Sequence, residues 1–299
     1  MRSYCVGQAL QCQPSSGWAS HSRFEHTDRV RRGLGDQSAK LTKYAACAML
    51  APRISMTNKF ACIAERCDAD INAVRRGIGA DPRIGQGHLC ASLGYGGSCL
   101  PKQIRAVIRT SEELGVHVEA VRATEFVNAR RPILLCDRIR AYFHHDLHGR
   151  TVAICGLSCK PHNDDMREAP SRVLMERLWR AGATVRAYDP AALDFTRTLY
   201  GDRSDLVLCN SRDAALSGSD CLAVVTEWPE FLNPDLGAIG NCLSRPAIFD
   251  GRNIFDTAAL RSVGFDYFPV GRATAAITAV GCHASGDRRN LAPPTTNTT

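Results

Sequence analysis

No apolar run in the 299 residues approaches the roughly 20 that a membrane-spanning helix needs, so a membrane partner is not expected. The first ten residues, M-R-S-Y-C-V-G-Q-A-L, carry one charge and no apolar segment of the kind that opens an export signal. No C-x-x-C pair occurs among the 14 cysteines. Scattered thiols without an export signal read as reduced cysteines of a cytoplasmic protein, which excludes a disulfide framework. A block rich in lysine and arginine is missing too. The net charge of +7, from 37 basic and 30 acidic residues, is mild; it suits a small anionic ligand and does not call for nucleic acid. With 44% hydrophobic and 22% charged residues the composition is globular, and the length allows one large domain or two ordinary ones.

The order of apolar residues divides the chain. Residues 1–38 have no sustained period and are expected to be unstructured. Residues 39–148 read as helical. Leu41, Tyr44, Ala45, Ala48, Met49 and Ile54 recur at the spacing of one helix face, and Ile63, Ile71, Val74 and Ile78 extend the pattern to Gly79. A Gly- and Pro-rich loop follows from Asp81 to Pro101. Helix resumes near Lys102, and a third stretch runs from Val118 to about Phe143, where Pro132 should kink or break it. From Gly149 to residue 272 short strands alternate with helical segments: 151–155, 183–188, 206–208, 221–226, 247–249 and 265–268. That alternation predicts an α/β fold, a helical region followed by a doubly wound parallel sheet, with ligands at the carboxyl ends of the strands. Residues 273–299 are expected to be disordered.

The loop G-Y-G-G-S-C-L-P-K (94–102) is the most informative stretch. Three glycines in four residues let a backbone pass close to a ligand. Cys99 stands just before a helix opened by Pro101, with Lys102 three residues on. A helix amino terminus and a nearby cation both favour a thiolate, so Cys99 is a candidate nucleophile; the alternative is one ordinary buried thiol among many. Asp164 and Asp165 lack a third patterned ligand and suit turn and capping roles better than a metal site, and His144, His145 and His148 suit an exposed helix end. Asp189 ends the second strand, where a ribose-binding acid often lies.

From about Lys40 to Arg272 the sequence resembles the UDP-glucose/GDP-mannose dehydrogenase family, through K-Y-A-A-C-A-M-L, D-P-R-I-G, G-Y-G-G-S-C-L-P-K, C-K-P-H-N-D-D-M-R-E-A-P, Y-D-P, T-E-W-P-E-F and F-D-G-R-N. The resemblance implies a NAD-dependent, two-step oxidation of a UDP-sugar, UDP-glucose above all, through an enzyme-bound thioester. It also implies a helical, homodimer-forming middle and a Rossmann-like UDP-binding domain. By the same resemblance Cys99 matches the nucleophile, Lys43 the lysine that handles the proton and the oxyanion, and Lys102 a lysine beside nicotinamide and nucleophile. Tyr95 and Gly96 fall in the substrate-binding loop. Arg83 matches an arginine that reaches the neighbouring subunit's sugar nucleotide, Lys160 and Arg252 match residues lining the nucleotide-sugar site, and Arg167 matches a contact to NAD.

Three departures accompany these matches. Before Lys40 there is no G-x-G-x-x-G fingerprint; Gly33-Leu-Gly35 follows a basic segment instead. The family's amino-terminal NAD domain is therefore expected to be absent, and the chain alone to be inactive unless a separate NAD-binding chain supplies it. The family's aspartate after the active-site lysine is Gln103, and its asparagine four residues past the first lysine is Cys47. A neutral amide cannot take a proton from the water that cleaves a thioester, and a thiol is a poor donor to an oxyanion. The alternatives to an active dehydrogenase are an inactive, dimeric nucleotide-sugar-binding relative and a truncated gene product.

Overall fold

The structure, a computed structural model, describes residues 36–273. Helix α1 (Asp36–Ala64) is followed by α2 (Ile71–Gly79), a long loop, α3 (Leu100–Glu113) and α4 (Glu119–Tyr142). The second half alternates β1 (Thr151–Cys155), α5 (Pro170–Arg180), β2 (Thr184–Tyr188), α6 (Leu193–Tyr200), β3 (Leu206–Leu208), α7 (Arg212–Leu216), β4 (Cys221–Val224), α8 (Leu236–Cys242), β5 (Ala247–Asp250), α9 (Thr257–Ser262) and β6 (Asp266–Pro269). The six strands form one sheet in the order β3-β2-β1-β4-β5-β6, every pair parallel. This is the doubly wound topology, with its crevice where the strand order reverses between β1 and β4.

Both faces of the sheet are covered, which is why its strands read as nearly continuous apolar runs. Val152, Ile154, Val185, Ala223 and Phe249 pack on one side with Leu135 and Ile139 of α4 and Leu174 and Leu178 of α5. Their neighbours in sequence, Ala153, Cys155, Leu222, Val224 and Ile248, pack on the other with Leu216, Ile239 and Leu260. The helical region is therefore no separate ball: α4 lies on the sheet. The end of β6 is tied back to it, since Glu65 accepts from the Gly271 amide at 2.7 Å and from Arg138 at 2.5 Å, and the Ile71 amide donates to the Gly271 carbonyl at 3.0 Å.

Two expectations change. The helix does not break at Pro132; α4 runs through it. Pro132 and Arg131 are both buried, and Arg131 donates to the Ser92 carbonyl at 3.0 Å, so tertiary packing offsets a local cost of about 3 kcal/mol. The apolar period across Ile63 and Ile71 belongs to two helices, separated by a turn and restarted by the Asp70 cap, whose side chain accepts from the Asn72 amide. The apolar face at the start of α1 points outward: Leu41 is 64% and Met49 73% exposed. Of the ends expected to be unstructured, 1–35 and 274–299 lie outside the described residues, while 36–38 already belong to α1. Among the described residues no helix is long and apolar enough to cross a membrane.

Candidate active site

The loop before α3 meets two loops from the carboxyl edge of the sheet. Asn128 of α4 clamps the first: its Oδ1 accepts from the Tyr95 amide at 2.8 Å and its Nδ2 donates to the Tyr95 carbonyl at 3.0 Å. The glycines then answer to the protein itself. At Gly94 (φ +100°) a Cβ would lie 2.6 Å from the Asn128 Oδ1. Gly96 presses on the backbone carbonyl of Glu168, and a Cβ on Gly97 would lie 3.2 Å from the Cys159 sulfur. The Gly97 amide donates to the Arg167 carbonyl at 2.7 Å. Close approach to a ligand was the expectation from the sequence; close approach between two loops of the chain is what uses these glycines.

This docking delivers Cys99 to the amino terminus of α3, where it is exposed rather than buried and makes no side-chain cap. Cys47 of α1, one turn beyond Lys43, lies near Cys99. Cys47 registers both neighbours: burial first, then Cys99, raises its thiol pKa, and Lys43 pulls it back. On the opposite side Arg167 pairs with Asp165 at 2.8 Å. That bond is the main cause of the raised Arg167 pKa, and Cys159 and Cys99 add to it. The same pair holds the Asp165 carboxyl below its ordinary value. The Asp165 side chain also accepts from the Arg167 amide at 3.0 Å, the turn role expected for it.

Lys160 and Arg252 arrive from the two sheet loops. Both lower the pKa of the Cys159 thiol, against burial, the larger effect, and against Asp165, which raise it. Arg252 is placed by Asp250 at the end of β5. That buried carboxylate accepts from the Arg252 amide at 2.9 Å, the Ile254 amide at 2.8 Å and the Tyr267 hydroxyl at 2.8 Å; even so, burial pushes its pKa up. The Arg252 side chain donates from Nε to the Val225 carbonyl at 2.6 Å and from Nη2 to the Cys159 carbonyl at 3.3 Å, with the Glu227 carboxylate 3.0 Å from Nε. Cys99, Lys43, Arg167, Lys160 and Arg252 thus share one junction between helical region and sheet.

The other expected residues lie differently. Lys102 is exposed on the first turn of α3. Tyr95 turns its hydroxyl inward, where it finds no hydrogen-bond partner, and burial raises its pKa well above the usual phenol value. Arg83 stands apart in its contacts: it is 87% exposed on the loop after α2, paired with Asp81, and Arg53 braces that loop by donating to the Ile84 and Gly85 carbonyls. The sequence reading passed over Asn128, Cys159 and Glu227. Cys159 and Glu227 sit inside motifs already singled out; nothing in the sequence marks Asn128.

The turn after β1 settles the status of Asp189. Asp189 is fully buried, and its carboxylate accepts from the Leu157 amide at 2.6 Å, the Ser158 amide at 3.0 Å and the Trp228 indole at 3.0 Å. It has no oxygen to offer a ribose. The next helix, α5, begins only at Pro170, so no helix amino terminus follows directly on this turn. A dinucleotide diphosphate needs that pairing of turn and helix. This sheet does not fit NAD there.

Residues 37–130 match the central domain of the UDP-glucose/GDP-mannose dehydrogenase family, and residues 153–257 match its UDP binding domain. The chain belongs to this family. It is 43% identical over 242 residues to a UDP-glucose 6-dehydrogenase of Pseudomonas aeruginosa, an alignment covering 80% of this chain and 53% of that protein. To the UDP-glucose 6-dehydrogenase of Rhizobium meliloti it is 35% identical, over 79% of this chain and 53% of the relative. The fold matches that of a UDP-glucose dehydrogenase from Pyrobaculum islandicum with a TM-score of 0.71 and 30% identity, covering 80% of this chain and 52% of the other. The chain spans about half the length of the relatives it matches.

Proposed function

We propose that this chain supplies the nucleophile and the nucleotide-sugar site of a NAD-dependent dehydrogenase that oxidises UDP-glucose, or a related UDP-sugar, to the uronate. The observation that carries the reading is the convergence of Lys160 and Arg252 beside the loop that presents the exposed thiol of Cys99. A diphosphate carries about two negative charges and is best met by a lysine and a forked arginine. Among the described residues the Arg252 side chain donates to two backbone carbonyls and pairs with Glu227, and it has five N–H groups to share with a diphosphate. With the diphosphate there, the sugar end is directed to Cys99.

Loss of a first hydride turns the C6 alcohol into an aldehyde, and the Cys99 thiolate adds to that carbonyl carbon. Lys43, on the facing helix, neutralises the oxyanion that forms. After oxidation the product is held as a thioester on Cys99, and water releases it. NAD, when bound, would accept the hydride released in each of the two oxidations. The described residues do not fit NAD at the turn after β1. It would be held elsewhere, in residues beyond those described or in a separate NAD-binding chain, and Arg167 and Lys102 would be the residues of this chain to contact it.

A second reading, an inactive nucleotide-sugar-binding relative, is favoured by one observation. Gln103 is buried with its Oε1 unpartnered, where the family has a carboxylate. In either reading the chain is a homodimer built on the outward apolar face of α1, with Arg83 reaching toward the other subunit.

Titration calorimetry with UDP-glucose tests the shared part. Loss of a charge-assisted hydrogen bond costs about 1.5–3 kcal/mol, so Arg252→Ala should weaken binding about ten-fold or more. Equal curves for the two proteins would remove Arg252 from the site.

A further inference from the structure

Leu157 and Ser158 present successive backbone N–H groups after Gly156, whose φ of +93° bends the chain into a concave nest. Such nests bind anions, and in doubly wound folds the one after β1 receives a phosphate. Here the anion is built in. One oxygen of Asp189 accepts from both nest amides and from the Trp228 indole, and the Ser158 hydroxyl is 3.1 Å away. Its other oxygen accepts from the Ala191 and Ala192 amides, each at 2.9 Å. The carboxylate therefore joins three segments: the turn at 156–160, the start of the loop after β2, and the loop after β4.

Two of these segments hold the nucleotide-site cations. The first carries Lys160, and its Cys159 carbonyl accepts from Arg252. The third carries Glu227, next to Trp228 and 3.0 Å from Arg252, while Thr226 donates to the Ser158 carbonyl at 2.5 Å. A Cβ on Gly156 would lie 2.5 Å from the Thr226 amide nitrogen, so the first and third segments are in direct contact as well.

We propose that Asp189 is an internal anion that fills the phosphate nest of this sheet. It sets the specificity of the domain by denying the nest to a dinucleotide, and it is a positioning residue for Lys160 and Arg252. The second half of the proposal rests on the nucleotide-sugar reading above. The first half does not.

The experiment uses the full chain with Asp189→Ala and Asp189→Asn, and sodium formate as the probe. In Asp189→Ala the vacated nest accepts formate. Formate should raise the melting temperature of this variant and restore UDP affinity lost by about ten-fold or more, whereas sodium chloride at equal ionic strength does neither. Asp189→Asn fills the space without the charge, so it should lose affinity and gain nothing from formate. If both variants fail to fold, Trp228→Phe, which removes one donor, should weaken UDP binding several-fold. Wild-type affinity in any folded variant would overturn the positioning role, and an Asp189→Ala melting temperature indifferent to formate would overturn the nest. Failure of the wild-type chain to bind UDP would instead overturn the nucleotide-sugar reading, leaving formate rescue of the melting temperature to decide the nest.

Discussion

At the scale of single residues, Gln103 is the departure that bears most on the proposed thioester chemistry. It follows Lys102 on the first turn of α3, its backbone N–H donates to the Cys99 carbonyl at 3.0 Å, and among the described residues its buried Oε1 has no partner. An amide oxygen there orients a water but does not accept its proton. An acyl group placed on Cys99 with an activated ester should therefore be lost slowly, as followed by intact-mass spectrometry. Gln103→Asp should speed the loss by about 10² or more, the low end of general-base assistance. Equal rates would mean that position 103 does not serve the thioester. The residue scale is also where the sequence says most. Cys99, Lys43, Lys160 and Arg252 stand out as candidates because each sits in a long motif. The three glycines were legible as close approach, but their partners, the Asn128 side chain and the Glu168 backbone, come from segments more than 30 and 70 residues away. No local pattern encodes such a meeting.

At the scale of elements, the junction depends on loops held against loops. Arg105 of α3 reaches Glu125 of α4 at 2.9 Å and Glu168 at 2.8 Å, so α3, α4 and the segment before α5 are cross-braced around the Cys99 loop. Gly96 lies inside this brace. A methyl group there meets the Glu168 carbonyl, which is backbone and cannot swing aside. Gly96→Ala should lower stability by about 1–3 kcal/mol in denaturant unfolding, the usual range for overpacking. The variant should also weaken UDP-glucose binding, since the displaced loop shares its contacts with Cys159. Full stability would mean that the loop has slack. Strands were the easiest elements to read, because burial on both faces of a parallel sheet makes each a short continuous apolar run. Helix limits were harder. Pro132 is a breaker by local propensity, and only the buried neighbours of α4 hold it in line.

At the scale of the whole molecule, α1 turns Leu41, Met49, Met56, Phe60 and Ile63 outward, and Ala45 with them. Steps of three, four and seven residues put them on one stripe of a helix about 44 Å long. An exposed apolar stripe of this length is expected to find a partner surface. Light scattering at micromolar concentration should give a dimer, and Met49→Glu with Phe60→Glu should give a monomer; a monomeric wild-type chain would contradict the stripe's proposed use. The sequence shows this face only as a period, since periodicity reports that a helix has an apolar side and not what covers it.

The central claim is that thiol and nucleotide-sugar site are one place. Alkylation of the cysteines by iodoacetamide, read peptide by peptide by mass spectrometry with and without UDP-glucose, tests it most directly. Cys67 is also exposed and lies 20 positions beyond Cys47, about 30 Å if measured along a helix, so it serves as the internal control. Saturating UDP-glucose should slow labelling of Cys99 by about ten-fold or more, the loss of access expected when most of a bound ligand's surface is enclosed, and leave Cys67 unchanged. Labelling of Cys99 at the same rate with and without the nucleotide sugar would contradict the account.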